Sequence, residues 1–309
     1  MRTILSIPMP THNPLLVVVA LIAFMMTGAS VVRGADVLVV VSTDSKPYAQ
    51  AADRSVDSLR ADGRSVERLM LSELNQEKLR AQTDPVIAIG GSAAAQLAQL
   101  LPAETELYYC MTPRPDRIGL TKRANTSGVS TDPDFKSQIE ILERSGIRIK
   151  RVGMLYKGSS DSSKSLRDQL EAHVPEKWNV SAIDLDDAGS GAKSIDMLFD
   201  QGIDVVWTAA DPSVYDASLV KALLLRSIRD RVPMFGFSHA LVRAGAPFGV
   251  GFEPGLQGER VASMLLGQEL GLHEPSDTVL AINNTATGRI KLKLSRDLDR
   301  LAEVRFGSE

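Results

Sequence analysis

The chain is poor in the residues that small or metal-dependent folds rely on. It has one cysteine, Cys110, and four histidines among 309 residues. A single cysteine excludes an intrachain disulfide, thiolate zinc sites and iron–sulfur clusters. His12, His173, His239 and His273 never stand two or four residues apart, so no metal-ligating pair is offered and no metal is expected. Neither sign of charge dominates: 35 Lys and Arg face 38 Asp and Glu, a net charge of −3 that argues against a nucleic-acid partner. Aromatic residues make up only 5%. The hydrolase patterns GxSxG and HExxH are missing, as are the P-loop and GxGxxG. Nothing in the motifs calls for a nucleotide or another cofactor.

What is present is an ordinary globular composition, 44% hydrophobic and 24% charged, at a length that suits about two domains. The first 35 residues stand apart. Arg2 precedes a 12-residue apolar run, LLVVVALIAFMM at 15–26, and then TGASVVRGAD. A basic start, a short apolar core and small residues read as an export signal cleaved after Gly34 or Ala35, with Ala29 or Ser30 as the alternative. The alternative is an uncleaved anchor, although a membrane span needs about 20 apolar residues. No cysteine lies nearby to carry a lipid. The remaining chain, with 33 basic and 38 acidic residues, is expected in the periplasm.

From residue 37 onward, strand and helix patterns alternate. VLVVVS at 37–42 is a continuous apolar run of strand length, as in a parallel sheet buried on both faces. A helix pattern at 47–61 follows, then SVERLML, a short helix at 73–81, the strand PVIAIG, an alanine-rich helix at 92–101 and the strand ELYYCM. A turn-rich stretch, TPRPDRIGLTKRANTSG at 112–128, breaks the rhythm and reads as a hinge or domain crossing. The alternation then restarts with a helix at 133–145, RVGMLY, a helix at 163–173 and NVSAIDL. It runs on through DVVWTA, PMFGF, APFGVGF and TVLAIN, with helices between. This order predicts an α/β chain with doubly wound parallel sheets.

In such sheets ligands bind beyond the carboxyl ends of the strands. Those ends deliver Ser42 and Asp44, then Gly91 and Ser92, Thr112, Tyr156, Asp211 with Ser213 and Tyr215, Ser238 with His239, and Phe252 with Glu253. GGSAA at 90–94 allows either a plain turn with Ser92 capping the helix or a helix start whose N–H groups bind an anion. Asp211 reads first as a helix-start cap, and otherwise as an acid or the partner of a ligand amine. Asp184, Asp186 and Asp187 lack calcium-loop spacing. Cys110, inside an apolar strand, reads as a buried inert thiol. Arg114, Arg117, Lys122 and Arg123 form a basic cluster, either a solvated loop or a place for carboxylate capture or docking. Tyr48, Tyr156, Tyr215 and Phe252 are the aromatics that could sandwich an apolar group.

Six segments carry a resemblance: VIAIGGSAAAQLA, NTSGVSTDPDFKSQIEIL, RVGMLYKGSSDSS, DVVWTAADPSVYDA, PMFGFSHALVRAGAPFGVGFEPGLQGERVASMLLGQ and LAINNTATGRIKLKL. In order and spacing, the chain resembles ABC-transporter substrate-binding proteins of the group related to bacterial tryptophan- and tyrosine-binding proteins. The resemblance covers nearly all of 36–309. It implies the type I periplasmic binding protein fold, two lobes joined by a hinge and closing on a small ligand. The expected lobes are 36–128 plus about 253–278, and 129–252 plus about 279–309. Ser92 matches the family's small hydroxyl residue at the first lobe's helix start. Asp211 matches the acid expected near a ligand ammonium, and Ser213, Ser238 and Glu253 match cleft-facing strand ends. The chain departs from the family where an Asp-Pro-Val turn commonly follows the fourth strand, since it has TPRPDRIG there. The implied role is capture of a small polar ligand, an amino acid or similar, by a monomer that docks on a membrane permease. A ligand-sensing module for a separate sensor kinase or chemoreceptor is the alternative. An enzyme is disfavoured because no nucleophile–base motif is present.

Overall fold

The computed structural model describes residues 35–307 except Ala81 and Thr83. The export signal read at 1–35 therefore lies almost wholly outside the described residues. Among those described, no helix is long and apolar enough to cross a membrane.

Two sheets form, each with its own apolar core. The first contains β1 (Val37–Val41), β2 (Val66–Met70), β3 (Val86–Ile89), β4 (Leu107–Thr112), β5 (Thr126–Pro133) and β11 (His273–Ser276). Its order is β11-β5-β4-β3-β1-β2, and every pairing is parallel. Helices α1 (Lys46–Ala61), α2 (Gln76–Arg80) and α3 (Gly91–Leu100) link its early strands. β1, β3 and β4 are fully buried along their length, which is why their apolar runs lack alternation.

The second sheet has seven strands. They are β6 (Arg151–Tyr156), β7 (Asn179–Asp184), β8 (Val205–Trp207), β9 (Met234–Gly236), β10 (Phe248–Gly251), β12 (Val279–Asn283) and β13 (Val304–Phe306). The order is β13-β12-β10-β9-β8-β6-β7, parallel except for β10 against β12. Helices α4 (Phe135–Arg144), α5 (Asp161–His173), α6 (Leu185–Ala188), α7 (Gly191–Asp200), α8 (Ala217–Asp230) and α9 (His239–Ala244) belong to this half. So do α11 (Asn284–Arg289) and α12 (Arg296–Leu301), whereas α10 (Pro254–Leu266) returns to the first sheet and packs on α1. Trp207, Phe235 and Phe248 anchor the second core, the two phenylalanines edge to face with centroids 5.4 Å apart.

The stretch at 112–128 is not the crossing that its turn residues suggest. β5 begins at Thr126 and pairs with β4, so the loop returns to the sheet it left. First-sheet pairing then continues to Pro133, opposite Ser276 of β11. The chain passes between sheets near 133–134, 252–254 and 276–279.

One irregularity positions the site. The β4–β5 register shifts between Tyr109 and Thr112, and Met111 takes the left-handed φ of 55°. The Met111 N–H is taken by Oε1 of buried Gln257 at 2.8 Å, and Gln257 Nε2 donates to the Ser130 carbonyl at 3.0 Å. One side chain from α10 thus satisfies the backbone groups that the bulge frees.

Candidate functional site

Both sheets switch direction of winding, at β1/β3 and at β6/β8. The strand ends around those points create a crevice. Here the crevice holds two cavities, of about 590 Å³ and 620 Å³, and both are walled by Pro113, Thr131 and Ala210. Each draws residues from both sheets.

The smaller cavity is neutral, with no charged side chain among its lining residues. Thr43 and Ser45 follow β1, Tyr48 stands in the first turn of α1, and Met111 projects from the bulge. Phe237 and Ser238 follow β9, and Phe252 follows β10.

The larger cavity is charged. Its walls are the crossing segment from Ser130 to Phe135, one flank of α5, Trp207, part of β11 and the turn from Arg114 to Asp116. The Arg114 guanidinium donates from Nε and Nη2 to the two Asp116 carboxylate oxygens, each at 3.2 Å. Its Nη1 reaches Ser162 Oγ on α5 at 3.2 Å, a polar contact across the crevice. These hydrogen bonds hold the Asp116 carboxyl below the usual carboxylate range. The Arg114 backbone N–H donates to Asp132 Oδ2 at 2.9 Å. Burial nevertheless pushes Asp132 upward, more than the nearby Arg114 pulls it down. Asp134 caps α4, accepting from the Ser137 N–H and hydroxyl at 2.9 and 2.5 Å. Glu274 accepts two bonds from Arg260, at 2.6 and 2.9 Å, which lower its pKa. Of the four lining carboxylates, Asp116 and Glu274 are salt-bridged; Asp132 and Asp134 form no salt bridge among the described residues. The Phe135 and Trp207 rings lie 5.6 Å apart beside them, and Trp207 Nε1 donates to Gln138 Oε1 at 3.1 Å. His273 Nδ1 is 2.9 Å from the Tyr109 hydroxyl, and burial holds its ring below the usual histidine range.

Of the site residues singled out in the sequence, Tyr48, Ser238 and Phe252 meet at the neutral cavity. The others do structural work nearby. Ser92 is not the cap of α3; Gly90 holds the N-cap position at a φ of 97°, and Ser42 Oγ accepts the Ala93 N–H at 2.9 Å. A Cβ at Gly90 would fall 2.5 Å from that Ser42 oxygen, so the cap requires glycine there. Gly91 and Ser92 line neither cavity, and Asp44 is exposed. Thr112 is buried and donates to the Cys110 carbonyl. Asp211 is turned into its own loop, where Oδ1 accepts from the Ser213 N–H at 3.0 Å and the Ser213 hydroxyl at 2.6 Å. Tyr215 is buried, with its hydroxyl on the Leu155 and Trp207 carbonyls. Tyr156 lies under the Arg167 guanidinium. His239 bonds the Val279 carbonyl through Nε2 at 3.0 Å, and its Nδ1 lies 3.4 Å from Glu253. Both partners stand where the chain passes between sheets. Cys110 is buried, and burial pushes its thiol far up.

A fold of this kind serves many functions, so family membership has to come from comparison. The profile of the family described as "ABC transporter substrate binding protein" matches residues 71–300. The chain belongs to that family. No curated protein matches the sequence. Among solved structures, a substrate-binding protein with adhesive properties from Clostridium difficile, in its ligand-free, open form, is similar at a TM-score of 0.70. It shares 17% identity over 88% of this chain and 99% of that one. The ABC domain from Streptococcus pneumonia in complex with L-Trp is similar at 0.60, with 17% identity over 89% and 100%. A conserved domain protein from Vibrio cholerae is similar at 0.61, with 18% identity over 88% and 100%. At these identities the likeness establishes the type I periplasmic binding protein fold.

Proposed function

We propose that this family member is an exported solute-binding protein of an ABC importer, which captures a small ligand between two lobes by closing about the crossing segments. The observation that carries this reading is the pair of cavities with common walls, each built from both sheets. A ligand touching both walls binds the closed form better than the open one and shifts the population toward it. The lobes are the bodies formed around the two sheets, and the crossings near 133–134, 252–254 and 276–279 are the hinge. Membership of a substrate-binding family supports capture and release without turnover. The partner that receives the loaded protein is a membrane permease.

A thermal-shift screen of the purified protein against amino acids, amines, peptides and sugars tests the reading. A ligand present at 100 times its Kd adds about 2.7 kcal/mol to the stability of the folded state. A true ligand is expected to raise Tm, to be recovered unchanged, and to reduce the radius of gyration in solution scattering. A broad library in which nothing raises Tm sinks the proposal.

A further inference from the structure

We propose that the ligand is an amphipathic cation without a carboxylate, its apolar body in the neutral cavity and its ammonium or guanidinium group in the charged cavity against Asp132. This rests on the solute-binding reading above and names the ligand class of that site.

Four observations lead there. The neutral cavity offers Tyr48, Met111, Phe237 and Phe252 and no charge, so it suits an apolar or aromatic group. The charged cavity carries four carboxylates against one arginine, and that arginine is bidentate to Asp116. Asp132 and Asp134 form no salt bridge among the described residues, so a ligand cation finds two acids to meet there and an anion meets repulsion. In addition, Arg114, the one Lys or Arg side chain among the lining residues, is already engaged by Asp116 and is not offered to a ligand carboxylate. The α3 start, the obvious anion holder, has its Ala93 N–H taken by Ser42, and Gly91 and Ser92 line neither cavity. The two cavities adjoin at Pro113, Thr131 and Ala210, so one elongated molecule reaches both.

Calorimetric titration with matched pairs tests this on the unaltered protein: tryptamine against L-tryptophan, tyramine against L-tyrosine, and agmatine against L-arginine, with indole-3-acetate as the acid lacking an amine. At least one amine is expected to bind, about tenfold or more tighter than its own amino acid, and indole-3-acetate to give no heat, since a charge-assisted contact contributes on that scale. Asp132→Asn should weaken the bound amine by about tenfold or more while the protein stays folded by circular dichroism, and Asp132→Glu should restore part of the loss. An amino acid that matches or beats its amine, or a bound indole-3-acetate, overturns the ligand class and leaves the solute-binding reading standing. So does a ligand from the broad screen that carries a carboxylate or no cation. Failure of these probes and of the whole screen overturns both.

Discussion

The two cavities share three wall residues and differ in how they are built. The neutral cavity is assembled from single residues just past strand ends, most of them half-exposed, such as Tyr48, Phe237 and Phe252. The charged cavity rests on core: Trp207 is 1% exposed and Phe135 9%, and both belong to the second sheet's apolar cluster. The neutral side can therefore change its side chains at a smaller cost to the fold. The charged side couples recognition to stability.

The largest expected effect exposes that coupling. Trp207→Ala removes a buried indole that also donates to Gln138, and it should cost about 3–5 kcal/mol of unfolding free energy. Phe252→Ala, on the neutral side, should cost about 1 kcal/mol because the ring is only partly buried. It should nonetheless weaken ligand binding. Urea denaturation of both variants measures the contrast, and equal losses would erase it.

Arg114→Ala comes next. It removes the Asp116 pair and the contact to Ser162, both partly solvated, so stability should change by about 1 kcal/mol or less. Because the Ser162 bond bridges the crevice, the ligand-free protein should become more open on average. A larger radius of gyration in solution scattering checks this; an unchanged radius would show that the bond does not restrain the hinge.

The neutral cavity was partly legible in the sequence and the charged one was not. Ser238 and Phe252 follow apolar runs that announce β9 and β10, so the rule that ligands sit beyond strand ends located them, whereas Tyr48 stood out only as one of few aromatics. The charged cavity depends on β5 and β11. Their sequences, TSGVSTDP and HEPS, contain little apolar surface and each includes proline. Such strands form because a neighbouring strand and α10 hold them, a tertiary cause that periodicity cannot register. Arg114 stood out as part of a basic cluster, but its role depends on Asp116 and Ser162, and Ser162 lies 48 residues away. Asp211 shows the opposite error. An acid at a strand end looks like a ligand partner, yet with a serine two residues on it closes its own turn.

The smallest effect has the most diagnostic sign. Glu274 and Asp132 line the same cavity and are shifted in opposite directions. The hydrogen bonds from Arg260 lower Glu274, so its contribution to stability is present at neutral pH and is lost as pH falls below the ordinary glutamate value near 4.5. Burial raises Asp132 above its ordinary value of 3.8, so its ionised form opposes folding at neutral pH, and that opposition disappears as the group takes up its proton. Asp132→Asn should accordingly raise Tm slightly at pH 7 and leave it unchanged near pH 3, whereas Glu274→Gln should lower Tm at pH 7 and lower it progressively less as pH falls below 4.5. Differential scanning calorimetry across that range separates the two. A carboxylate whose removal stabilises the protein is retained for recognition rather than for the fold. If Asp132→Asn instead lowered Tm at pH 7, Asp132 would be a structural acid like Glu274, and the charged cavity would lose its claim to a ligand cation.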